Sequence, residues 1–393
     1  MPAPTALTFA GAEYAGRRHR VRAEMSRRDI DLLLVTSPSN LYYLCDYAAS
    51  WYPPRLPVAL ALRADSEHTV FFDWVRHADH VEHSTLADEA AYYEYGESAA
   101  VISGFLAARG AGDVVALEWS SPTPSPQVVN ELADALRSAG LRVESGDWIV
   151  DDVRLYKSPA ELDRVRAAAR IADAAMLRLQ SAIRPGMTEL EVSALATSFL
   201  AEQGGEVAAQ NPLVSSGPTA WRDVHNFPSG RRLQEGDLIS LDLSGVVDRY
   251  HANLARVFSL GRERPRPAAW LAASGRALQT FLNDARPDAD PAPAMHAAEV
   301  TLRSEVPAEN IWWAGGYSLG ACFPPSWGGH AYLHNDGPTD VALREGWVSN
   351  FETVLVDRAE GWELAPIDTV VMTATGAEVL SALPRTMVVV PTT

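Results

Sequence analysis

Between residues 158 and 373 the chain runs twice through one order of elements, two helices followed by a pair of long strands, and this order constrains the fold more than any other feature. Lys157-Ser-Pro-Ala-Glu-Leu162 starts the first helix, with Ser158 as cap and Pro159 in the first turn, and an Ala/Arg/Leu-rich run carries it to Ile183. Arg184-Pro-Gly-Met-Thr188 interrupts it. A second helix is predicted from Glu189 to about Gln203, then strands at 237–247 and 249–259. Helices at 265–285 and 292–304 and strands near 347–357 and 368–373 repeat the order. No internal sequence repeat accompanies it, and the Pro/Asp/Ala-rich stretch 285–294 reads as a loop. The expectation for 154–393 is an α+β domain of pseudo-duplicated helix-helix-hairpin halves.

Residues 1–153 read differently. A helical pattern at 12–30 leads into the short apolar strand Asp31-Leu-Leu-Leu-Val-Thr36. Strand-like runs at 56–62, 69–72, 114–117 and 141–143 follow, with helical segments at 97–109 and 126–139, which predicts an α/β domain. At 393 residues and 47% hydrophobic composition, the chain is long enough for two cores. A net charge of −17 argues against nucleic acid or an anionic membrane as partner, since both reward a basic face. Cys45 and Cys322 lie outside any zinc or redox spacing. With no signal-like N-terminal segment and no apolar run of spanning length, a cytoplasmic protein is expected.

Three passages of the second domain place unusual residues in strand or turn contexts. Gly236–Gly245 with Asp248–Phe258 carries Asp242 and Asn253, and Gly315-Gly-Tyr-Ser-Leu-Gly320 carries Tyr317. Gly346–Glu352 with Asp368–Thr373 carries Glu352 in an apolar strand, where a charge is rarely buried without a partner. In this order and spacing, and with the looser stretch Ser39–Tyr47, they resemble the creatinase/aminopeptidase P family. That resemblance implies the pita-bread fold for the second domain and puts the family's metal-binding positions at 242, 253, 317, 352 and 367. Asn253, Tyr317 and Ile367 replace three of those five ligands. Two divalent cations about 4 Å apart need several anionic oxygens around them. Two carboxylates do not neutralise four positive charges, so neither metal nor cofactor is expected. A one-residue shift at 367 would instead present Asp368 and leave room for a single ion, although strand alternation favours Ile367.

Within the family, Arg222-Asp-Val-His-Asn-Phe-Pro228 is similar to creatinase around its catalytic histidine. Arg249–Arg256 and Gly316–Gly328 look like the ectoine-hydrolase branch. The resemblance implies His225 as general acid and base, a role imidazole suits near neutral pH. Glu352 and Asp242 would bind a cationic amidine or guanidine, and Tyr317 would donate to the charge that develops. Arg55, in Trp51-Tyr-Pro-Pro-Arg55, falls where creatinase uses an arginine of the neighbouring subunit to hold a substrate carboxylate, which implies a homodimer. Tyr52, Phe323, Trp327 and Trp362 are candidate walls, and Asn253 and His251 candidate substrate contacts. His330 and His334, four apart among glycines, read as loop residues and not as a metal pair. The expected activity is metal-independent hydrolysis of a C–N bond in a small zwitterionic nitrogen compound. Two alternatives stay open: a metal-dependent Xaa-Pro peptidase-like hydrolase or lyase with one ion, and a binding protein without catalysis.

Overall fold

The computed structural model describes residues 7–110, 112–222, 225–329, 331–334 and 341–391. The chain divides into two compact units, Met1–Arg154 and Leu155–Thr393.

The first unit runs α1 (Gly11–Arg27), β1 (Leu32–Val35), α2 (Pro38–Cys45), β2 (Ala59–Arg63), β3 (Thr69–Trp74), α3 (Ala78–Ser84), β4 (Glu89–Tyr93), α4 (Ser98–Ala107), β5 (Val114–Leu117), α5 (Pro126–Ser138), β6 (Arg142–Ser145) and α6 (Ile149–Arg154). Its six strands lie in the order β4-β3-β2-β1-β5-β6. Strand β1 is apolar throughout because both its faces are covered. Leu33 and Val35 join one core with Val21 and Met25 of α1, while Leu32 and Leu34 join another with Ile102 of α4 and Leu132 of α5. The predicted strand at 56–62 begins only at Ala59. Pro57, without an N–H, cannot extend the ladder.

The second unit runs α7 (Pro159–Ala182), α8 (Glu189–Glu202), β7 (Leu213–Ser216), β8 (Leu238–Val247), β9 (Tyr250–Leu260), α9 (Pro265–Asp284), α10 (Ala292–Arg303), β10 (Ile311–Tyr317), β11 (Tyr332–Leu333), β12 (Val348–Asp357), β13 (Trp362–Leu364), β14 (Ile367–Thr373), β15 (Gly376–Val379) and β16 (Val388–Val390). Both helices of the first half start in capping boxes, Ser158 with Glu161 and Thr188 with Glu191. The β8–β9 hairpin turns on Asp248 and Arg249, both at positive φ, a type I′ geometry unusual without glycine. The Glu206 carboxylate holds that turn by accepting both backbone N–H groups, at 2.7 and 3.2 Å.

The main sheet has the order β11-β10-β12-β14-β9-β8-β7. Strand alternation assigns its two faces different work. Ile239, Leu241, Leu243, Leu254 and Phe258 pack with Ala172, Leu179 and Val192 of α7 and α8. Phe351, Val370 and Met372 pack with Trp270, Phe281 and Met295 of α9 and α10. Helix α7 lies so close to β8 that a Cβ on Gly245 would come within 2.0 Å of the Ala168 carbonyl oxygen, so only glycine fits there. With one face under helices, the residues of opposite parity are left to build a site.

Candidate functional site

One row of the register crosses six strands: Gly315, Glu352, Ile367, Ala255, Asp242 and Leu213 are successive cross-strand partners. Paired residues in an antiparallel ladder project to the same side, here the side away from the helices. Leu213, Asp242, Glu352 and Ile367 all line a cavity of about 390 Å³. The sheet thus delivers two carboxylates from strands far apart in sequence, with the methyl groups of Ile367 between them.

Two residues further along the strands the side chains are polar but uncharged. The Asn253 amide donates to an Asp242 carboxylate oxygen at 2.5 Å and to the Leu243 carbonyl at 3.2 Å. Its own carbonyl oxygen accepts from the Tyr317 hydroxyl and from the Asn350 amide, both at 3.3 Å. The Tyr317 hydroxyl in turn accepts from the Trp327 indole N–H at 3.0 Å. Thr369 donates to the Asn253 backbone carbonyl at 2.9 Å.

Burial, and then the neighbouring charge of Glu352, push the Asp242 carboxyl well above the usual carboxylate range, against a smaller opposing effect of the Asn253 hydrogen bond. Burial pushes Glu352 up to about 7, with the charge of Arg385 opposing. Glu363 of β13 is a third carboxylate on the lining. Among the described residues no Lys or Arg lines the cavity, so no fixed cation on its wall offsets the three carboxyl groups.

The donors at the five family metal positions do not suit a pair of divalent cations. Asn253 turns its amide nitrogen toward Asp242 and has its oxygen occupied by two donors. The Tyr317 hydroxyl is engaged by Trp327 and Asn253, and Ile367 offers no donor. Asp368 does not stand in for it. It points to the helix face, where Arg256 and Arg385 each donate to it at 2.7 Å.

His225 lies at the edge of the cavity, exposed, with its ring 6.2 Å from that of Trp312. Tyr317 and Trp327 are also on the lining, and Asn253 stands directly behind Asp242. Three expected contacts are placed elsewhere. His251 is fully buried, its Nε2 accepting from the Ala209 N–H and its Nδ1–H donating to the Arg249 carbonyl. Burial, reinforced by Arg249, holds its pKa down at about 3, so it is a neutral brace for the hairpin. Phe323 stacks under the Arg249 guanidinium, 5.0 Å from ring centre to Cζ. Trp362 packs in the helix-side core on Trp270, at 4.9 Å. Its neighbour Glu363 takes the lining position, the alternation of a strand having reversed the two. Tyr52 and Arg55 belong to the first unit. The Tyr52 hydroxyl accepts from the Ala49 N–H at 3.2 Å, and Arg55 is exposed on a turn. His334 is partly buried, while His330 lies outside the described residues.

Sequence reasoning missed Trp312, Trp313, Tyr332, Glu363, Ser215 and Ser240, which also line the cavity. The adjacent tryptophans just before Gly315 were the available signal. No helix among the described residues is long and apolar enough to cross a membrane.

Comparison with known proteins agrees with this architecture. The model of the creatinase/prolidase N-terminal domain matches residues 17–156, and that of metallopeptidase family M24 matches 163–374. The chain is 26% identical to the ectoine hydrolase of Halomonas elongata, over 98% of each chain. It is 28% identical to the probable dipeptidase PepE of Mycobacterium tuberculosis, over 73% of this chain and 74% of that one. The crystal structure of dipeptidase PepE from Mycobacterium ulcerans superposes with a TM-score of 0.84 at 25% identity, covering 98% of this chain and 99% of that one. A family model spanning more than half the chain, joined to this sheet and helix order, makes the protein a pita-bread hydrolase of metallopeptidase family M24.

Proposed function

We propose that the protein hydrolyses a C–N bond in a small amidinium- or guanidinium-bearing compound, and does so without a metal ion. The observation that carries this reading is the pair Asp242 and Glu352, facing one cavity that, among the described residues, Lys and Arg do not line. A planar organic cation held by the two carboxylates through charge-assisted hydrogen bonds supplies the positive charge that the floor lacks and draws both groups into their ionised form. Likeness to the ectoine hydrolase along the full chain supports the same chemistry.

In this mechanism water adds its oxygen to the amidine carbon while His225 takes the proton. The C–N bond then breaks as His225 returns the proton to the departing nitrogen. Glu352 and Asp242 keep the carbon electrophilic by holding the charge on its nitrogens. Tyr317, anchored by Trp327, turns the hydroxyl proton it gives to Asn253 in the free protein toward the tetrahedral centre. If the substrate is a zwitterion, Arg55 of a second copy holds its carboxylate, which makes the working form a homodimer. A cytoplasmic location belongs to the same reading.

The test is a turnover screen of ectoine, creatine, related cyclic amidines and Xaa-Pro dipeptides, with product mass detection, before and after exhaustive chelation and metal analysis. Amidine or guanidine hydrolysis that survives chelation is the expected result, with His225→Ala lowering it by about 10²–10⁴-fold. Dipeptide cleavage that depends on a stoichiometric metal ion would replace this reading with the dipeptidase activity named for the mycobacterial relatives. Tight ligand binding without turnover would make the protein a binding protein.

A further inference from the structure

Strand β10 is irregular where it approaches the site. Ile311 pairs with Leu355 and Trp313 with Val354, so two steps along β10 answer one step along β12. This is a bulge with Trp312 as the extra residue. In a regular strand Trp312 and Trp313 would point to opposite faces; a bulge re-aims one of them. Both indoles accordingly line the same cavity, joined there by Trp327 and Tyr332. Trp313 is anchored against Val354, Val356 and Ala365. Trp312 is 54% exposed, so hydrophobic burial in the free protein does not account for its placement.

The cavity also exceeds what a compact substrate needs. At about 390 Å³ it falls in the range that ligands of drug-like size fill, and it would hold on the order of a dozen waters. The carboxylates of the floor account for a cationic head group. They leave the aromatic wall without a matching ligand feature.

We infer that the substrate is an organic cation bearing a flat, apolar extension, of the aryl-amidinium or aryl-guanidinium class, with its charged head on Asp242 and Glu352 and its extension against Trp312 and Trp313. This rests on the cation-binding reading above and narrows it. The extension gains aromatic stacking, and the delocalised charge gains cation–π attraction from the same rings. Trp312 is then a specificity-determining residue.

The test measures binding of acetamidine, benzamidine and benzoate to the purified protein by calorimetry. Benzamidine is expected to bind at least about tenfold tighter than acetamidine, and benzoate not to bind. Trp312→Ala should erase that ratio, weakening benzamidine far more than acetamidine, which loses only the cation–π contribution. Trp312→Phe should restore part of it, and Glu352→Gln should weaken both amidines. Equal affinities for the two amidines, or a ratio unchanged in Trp312→Ala, would overturn the extension and leave the cationic head intact. Failure of both amidines to bind, or binding of benzoate instead, would overturn the reading of the floor and this inference with it.

Discussion

Ile367 and Asp368 are neighbours on β14, yet they face opposite sides of the sheet and show two ways of handling buried charge. On the helix side, Asp368 is almost fully enclosed and accepts from two guanidinium groups that are themselves buried. Arg385 also donates to the Phe351 and Pro366 carbonyls, so the cluster ties β12 to β14. On the cavity side, Asp242 and Glu352 flank Ile367 with no Lys or Arg on the lining among the described residues, and burial keeps both protonated to unusually high pH. The first arrangement is closed and structural. The second leaves carboxylates short of positive charge, which a folded protein tolerates where a ligand completes them.

The largest effect should come from breaking the closed side. Asp368→Ala leaves Arg256 and Arg385 buried without their counter-charge, and removing one partner of such a pair typically costs about 3–5 kcal/mol. Urea unfolding followed by far-UV circular dichroism measures it. A loss under about 1 kcal/mol would mean that the backbone carbonyls alone satisfy the two guanidiniums and that the two faces differ less than their geometry implies.

The open side should respond with the opposite sign. Glu352 is raised from 4.5 to about 7 in the folded state, so between those values the folded chain holds a proton that the unfolded chain releases. Its contribution is therefore fully present below pH 4.5 and is lost as pH rises through 7. Glu352→Gln removes that loss. Relative to the parent, the variant should be equally stable near pH 4.5 and more stable by on the order of 2–3 kcal/mol above pH 8, while binding cations more weakly. Parallel denaturation curves at the two pH values decide it; a gain confined to low pH would reverse the assignment.

A smaller effect is expected from the polar link between the carboxylates and the aromatic wall. Tyr317→Phe removes the hydroxyl that accepts from Trp327 and donates to Asn253. It should cost about 1 kcal/mol of stability, the ordinary net worth of such hydrogen bonds. If Tyr317 also serves the reaction, turnover should fall further than that stability loss explains. Equal, small changes in both would confine the residue to a structural role.

Most of the fold was legible because its elements are signalled locally. The Ser158 cap, the helical runs and the long β8–β9 and β12–β14 strands each carry their own pattern, and the register that puts Ile367 inward follows from period-two alternation. On the cavity lining, Asp242 and Glu352 were legible because charge breaks that pattern, whereas His225 and Tyr317 were named through the family resemblance. Trp362 was expected on the wall, where Glu363 stands instead, because β13 has only three residues, too few to show which face each takes. Trp312 depends on a bulge, which leaves no mark in hydrophobic periodicity. His251 gives no sign in sequence that its two ring nitrogens end on backbone groups brought together by the hairpin.

The smallest expected change in stability concerns a residue on neither face. Arg55 is an exposed cation on a turn of the first unit, and exposed substitutions away from caps and networks usually shift stability by less than about 0.5 kcal/mol. Arg55→Ala should therefore unfold with the parent, and any kinetic effect must come from substrate binding. For a substrate with a carboxylate, loss of one charge-assisted hydrogen bond corresponds to about 1.5–3 kcal/mol, a rise in KM of about ten- to a hundredfold with kcat little changed. For an amidine without a carboxylate KM should not move. Mixing Arg55→Ala with His225→Ala protomers sharpens the point: hybrid dimers regain high-affinity turnover only if the arginine serves its partner's cavity. An unchanged KM for both substrate types would remove Arg55 from the site and leave the contrast between the two faces of β14 untouched.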